Sequence, residues 1–171
     1  MTASERFPVE IVAGDHRLTG LLAPTGRRLL DHLNDPETRF LMVEDVALFD
    51  RAGGGGGDSY RRMLVRTSSV SLIALPSEQH EAPARRMEYF REKPRYPTLA
   101  AVPGYDVAGD MHLDEAPAPE LTMAGAEAFF AVTGATATHV AGSSAAAGEP
   151  PLEAGVIIVN SARVSLFDVA A

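Results

Sequence analysis

The chain has 171 residues, 46% hydrophobic and 22% charged, with no cysteine and a formal net charge of −8. That is enough apolar content to bury a core in one ordinary domain or two small ones. The lack of cysteine excludes a disulfide framework, thiolate catalysis and thiolate zinc ligation. Fourteen of the 15 cations are arginine, and the charge is unevenly spread. Through Arg95 there are 14 residues of each sign; from Tyr96 onward Arg163 stands against nine acids. A chain that is acidic overall, and strongly so in its second part, speaks against a general nucleic-acid binder. No apolar run approaches the roughly 20 residues of a membrane span, and the start, MTASERFPVE, lacks the basic and apolar regions of a signal peptide. A cytoplasmic protein with no membrane partner is expected.

In chain order, Val9–Val12 and Leu18–Leu22 read as strands around the turn signal Ala13-Gly14-Asp15. Leu29, Leu30 and Leu33 give Thr25–Asn34 a one-sided stripe over about two helical turns, which Asn34-Asp35-Pro36 ends. Leu41, Val43, Val46 and Leu48 predict a strand with a bulge around Glu44-Asp45. The run Gly53–Gly57 reads as a mobile connection, because each glycine costs up to about 1 kcal/mol to order relative to alanine. It is not a phosphate loop, since no lysine and helix follow it. Met63–Leu75 reads as one long bent strand or as two strands, interrupted at Thr67-Ser68-Ser69. Gln79–Pro97 is a linker with arginines and aromatics, in which Pro83 opens and Pro94 stops a short helix.

The chain then repeats itself. His16–Pro24 matches Tyr105–Leu113, aligning Gly20 with Gly109, and Arg39–Phe49 matches Ala128–Thr138, both at an offset of 89 residues. Val65–Pro76 matches Val159–Ala170 at an offset of 94, each carrying V-x-x-x-x-V-S-L. The five additional residues fall in the glycine- and alanine-rich connection Gly142–Pro151. Conserved order, with the length difference confined to a loop, marks an internal duplication. The expected fold is mainly β with short helices: two tandem small barrel- or sandwich-like repeats. Residues 1–78 form the first, 79–98 the linker and 99–171 the second, diverged and acidic.

The first copy resembles a bacterial domain family of unassigned activity. The family pattern is carried here by Arg17-Leu18-Thr19-Gly20-Leu21-Leu22, by Leu29 to Leu33-Asn34, by Phe40–Leu48 and by the closing strand Val70–Leu75 with Pro76. The second copy keeps the strands and loses L-x-x-x-L-N. The predicted strand order is also similar to Sm-like small barrels, a resemblance that implies edge-to-edge pairing and in many members RNA binding. The first resemblance implies no catalytic residue.

The chemistry-bearing residues are sparse. Asp110, His112 and Asp114 alternate on a predicted strand and share one face, so an oxygen, nitrogen and oxygen set could hold a divalent metal. Among the five histidines there is no H-x-x-x-H pair, and G-x-S-x-G is absent. A unit of about 65 residues buries only about 60% of its unfolded surface, and open sheets leave edges that invite pairing. The expected role is therefore a non-catalytic interaction module without a cofactor, which self-associates or docks on another protein. The surfaces expected to do so are the strand carrying Phe40, Val43 and Val46, the segment Val156–Val169, and the linker residues Arg85, Arg86, Tyr89, Phe90 and Arg91. Two other readings are a nucleotide- or RNA-binding regulator using the first-half arginines, and a metal-dependent enzyme built on Asp110, His112 and Asp114.

Overall fold

The computed structural model describes residues 6–23, 27–50, 57–76, 93–115, 118–140 and 151–170. The first half runs β1 (Phe7–Ala13), β2 (His16–Leu22), α1 (Leu29–Leu33), β3 (Phe40–Asp50), β4 (Asp58–Arg66), a 3-10 turn (Thr67–Ser69) and β5 (Val70–Leu75). The second half repeats that order: β6 (Arg95–Val102), β7 (Tyr105–His112), α2 (Pro119–Ala124), β8 (Phe129–His139), β9 (Leu152–Asn160), a 3-10 turn (Ser161–Arg163) and β10 (Leu166–Val169). All neighbouring strands are antiparallel. They make one open ten-stranded sheet in the order β10-β6-β7-β8-β9-β5-β1-β2-β3-β4. The two halves are thus joined by hydrogen bonding between β5 and β9.

The local backbone explains the repeated sequence marks. Between β2 and β3 the register shifts at Gly20, opposite Asp45, whose φ is +50°. Between β7 and β8 it shifts at Gly109, opposite Gly134, whose φ is +54°. Each is a bulge that bends the sheet. A Cβ on Gly20 would lie 2.5 Å from Val43 Cγ1 and 2.8 Å from the Glu44 carbonyl, and one on Gly109 would lie 2.7 Å from Val132 Cγ1 and 2.8 Å from the Thr133 carbonyl. Glycine at both positions is therefore a packing requirement of the bend, not a ligand cradle. The bulge expected at Glu44-Asp45 is where the sequence put it. The break at Thr67-Ser68-Ser69 is a 3-10 turn between two strands.

Helix α1 is shorter than its apolar stripe suggested. Leu29 and Leu33 are buried and Asn34 caps its C-terminus. The linker at 79–92, most of the Gly53–Gly57 run and the connection at 141–150 lie outside the described residues.

Burial divides into two apolar clusters that interlock at the β5–β9 joint. One holds Val9, Ile11, Leu18, Val43, Val70 and Ile73, and also Phe129 and Ile158 from the second half. The other holds Val107, Val132, Ile157 and Val159, and also Val12, Leu72 and Ala74 from the first half. The cause is strand alternation: successive side chains of β5 and β9 point to opposite faces, and each face meets a different core. Every residue of β5 is buried.

Candidate interaction edges

The joint shows what a paired end of this fold looks like. Across it Leu72 faces Val159, Ile73 faces Ile158, Ala74 faces Ile157 and Leu75 faces Val156. Two asparagines lock it. Asn34, at the end of α1, accepts from the Phe129 backbone N–H through Oδ1 at 2.8 Å and donates from Nδ2 to the Phe129 carbonyl at 3.0 Å. The same Nδ2 donates to the Glu127 carboxylate. Buried Asn160 donates from Nδ2 to the Val70 carbonyl at 2.8 Å and accepts from the Ala162 N–H at 3.0 Å. Arg163 adds a bond to the Ser68 carbonyl at 2.9 Å. The loop that positions Asn34 is held in turn by Asp35, whose carboxyl is kept below its ordinary value by the Glu37 backbone N–H and then by Arg27.

The two ends of the sheet are β4 and β10, each hydrogen-bonded to a neighbouring strand on one side. Among the described residues nine large apolar side chains are exposed. Five of them, Phe40, Met42, Phe49, Tyr60 and Leu64, lie on β3 and β4; two, Leu99 and Leu166, lie on β6 and β10. The duplication supplies a comparison inside the molecule. At its two offsets Phe40 corresponds to Phe129, Leu64 to Ile158 and Leu166 to Leu72. The joint members are 4%, 2% and 0% exposed; the end members are 45%, 62% and 71% exposed. Side chains of like chemistry are core at the joint and open at the ends.

Charge differs between the ends. Strand β4 carries Arg61, Arg62 and Arg66 with Asp58, whereas β10 carries Asp168 alone. Arg62 pairs with Glu44 at 3.0 Å, and Glu44 also takes Arg6 at 2.7 Å. The Arg66 guanidinium lies 5.1 Å from the centre of the Phe40 ring, close enough for a cation–π contact.

Sequence-predicted residues are placed as follows. Phe40 is exposed, but Val43 and Val46 are core, and β3 is flanked on both sides by β2 and β4. The edge expected at β3 is therefore one strand further out, because the residues after the glycine run fold back as β4. Of the Val156–Val169 segment, β9 is interior and β10 is the edge. Arg85, Arg86, Tyr89, Phe90 and Arg91 lie outside the described residues. Asp110 and His112 are on β7, while Asp114 lies beyond its end and holds Lys93 at 2.8 Å. His112 Nε2 is 2.8 Å from the Thr133 hydroxyl, which donates to the Asp110 carbonyl at 3.2 Å. That ring nitrogen is thus engaged by the neighbouring strand. Among the described residues no group of three His, Asp or Glu side chains is arranged to hold a metal, and no helix is long and apolar enough to cross a membrane.

A depression of about 410 Å³ opens beside the joint, between β1, β2, β5 and β9. Its polar lining includes Glu10, Thr19, Asp45 and Glu153, with Pro8 and Pro76 at its walls. Arg17 pairs with Glu10. Three carboxylates do not suit an anionic ligand.

Sequence reasoning missed Leu64 as a surface residue and named Leu166 only as part of the Val156–Val169 segment. The repeated V-S-L makes Leu166 the counterpart of Leu72, which is buried. The exposure of Leu166 follows only from the strand order. No family model, curated protein or solved structure matches the chain.

Proposed function

We propose that this protein is a non-catalytic assembly module whose sheet edges, β4 and β10, take up strands from further polypeptide. The observation that carries this reading is the burial contrast between equivalent side chains: Phe129, Ile158 and Leu72 are covered at the internal joint, while Phe40, Leu64 and Leu166 are open at the ends. An unpaired edge presents a row of backbone donors and acceptors, and here that row is flanked by apolar side chains with no cover from the described chain. The separate barrel- or sandwich-like repeats expected from the sequence are not what the strands form: each half contributes five strands to one open sheet and is sealed on one side by its sister. The bulges, the glycines and the Asn34 lock all serve the shape of the sheet.

Sedimentation velocity tests the reading. Leu64→Arg and Leu166→Arg alter exposed positions and leave both cores intact. The wild-type chain is expected to sediment above the monomer at micromolar concentration, and each variant to return to the monomer. A wild-type chain that is monomeric at every concentration and indistinguishable from both variants would contradict it.

A further inference from the structure

Strand β9 seals the edge of β5, so the structure contains a worked example of how one half receives the other. Carried over by the 94-residue offset, the same joint would place β10 against β4. Those two strands are the ones left open at opposite ends of the sheet. We infer that the occupant of each edge is a second copy of this chain, bound head to tail, with β10 of one chain antiparallel to β4 of the next. This inference rests on the assembly reading above and names its partner and register.

The register follows from the internal pairing. Leu72 with Val159 becomes Leu166 with Val65; Ile73 with Ile158 becomes Phe167 with Leu64; Ala74 with Ile157 becomes Asp168 with Met63; Leu75 with Val156 becomes Val169 with Arg62. Alternation then carries Leu166 into the first-half core of the neighbouring chain, as Leu72 enters the second-half core at the joint. Leu64 and Phe40 enter the second-half core of the preceding chain, as Ile158 and Phe129 enter the first-half core.

Three further observations fit this partner. The locks have counterparts: Arg66 replaces Asn160 and keeps a donor for the carbonyl of Val164, the counterpart of Val70. Met123 replaces Asn34 and would meet Phe40 in place of Phe129, an apolar contact where the joint has a hydrogen bond. The charges are complementary, since the arginines of β4 would face the half that holds the whole net charge of −8. The two edges are different surfaces, so the contact is heterologous and one chain can bind at both ends.

Because the chain has no cysteine, introduced thiols report the register directly. Opposed residues of an antiparallel pair lie about 4.5–5.5 Å apart at Cα, inside the range a disulfide spans; a displacement of four residues adds about 13 Å. Single variants Met63→Cys and Asp168→Cys, distinguished by tags, are mixed and oxidised; Ser59→Cys replaces Met63→Cys in the control. Leu64→Cys with Phe167→Cys is a second in-register pair, and circular dichroism confirms that each variant folds. The expected result is a mixed disulfide dimer from both in-register pairs and not from Ser59→Cys with Asp168→Cys. Oligomers that give no in-register dimer, or give only like-with-like disulfides, would overturn the head-to-tail register while the assembly reading stands. A wild-type chain that is monomeric by sedimentation would overturn both.

Discussion

Asn34 is the residue on which the joint between halves turns. Its amide brackets the backbone of Phe129 from the end of a five-residue helix, and such a short helix has little stability of its own. Tertiary packing of Leu29 and Leu33 holds α1 in place, and the Asp35 turn directs the chain away. Replacing Asn34 with alanine removes both bonds to Phe129 and is expected to cost about 1–3 kcal/mol. Asn34→Asp keeps an acceptor for the Phe129 N–H but turns a carboxylate oxygen toward the Phe129 carbonyl and the Glu127 carboxylate that Nδ2 reaches, so it should not rescue the loss at neutral pH. Chemical denaturation of the three proteins checks that both variants fall below wild type; equal stability of all three would contradict the bracket. In the sequence Asn34 reads as a helix stop. Its second use was illegible, because the partner lies 95 residues away and no local pattern announces a side chain bonding to a distant strand.

Elements were more legible than their partners. Alternation in β1, β2 and β5 and the break at Thr67-Ser68-Ser69 are local, so they show in the sequence. Position in the sheet is not local: β5 is buried on both faces because it lies between β1 and β9 with a core on each side. Its counterpart β10, which begins at the leucine of the same V-S-L motif, pairs with β6 alone. The same limit misplaced the edge at β3, whose burial depends on where β4 returns. Gly20 and Gly109 are an intermediate case, since their alignment was visible and their reason was not. Gly20→Ala forces a methyl group against the Glu44 carbonyl and Val43. Overpacking of this kind costs about 1–3 kcal/mol, so thermal denaturation should show a clear fall in midpoint. An unchanged midpoint would mean that the bulge relaxes without strain.

At the scale of the molecule, the duplication makes one sheet with two unlike ends, an arginine-bearing β4 and a β10 with one aspartate. Full burial of a large apolar side chain contributes about 1.5–3 kcal/mol, so the parts of Phe40, Leu64 and Leu166 still exposed together supply roughly 3–5 kcal/mol per contact. Association itself costs on the order of 4–15 kcal/mol. The balance is close enough that the backbone ladder and the arginine–carboxylate complementarity decide it, and assembly should respond to protein concentration and salt. Hydrogen exchange of the β4 and β10 amides in the wild-type chain, followed across a dilution series, tests this most directly. The outward amides of both strands should be protected at high concentration, as those of β5 and β9 are at every concentration, and should lose protection together on dilution. Exchange from β4 and β10 that is fast and independent of concentration would contradict assembly through the sheet edges.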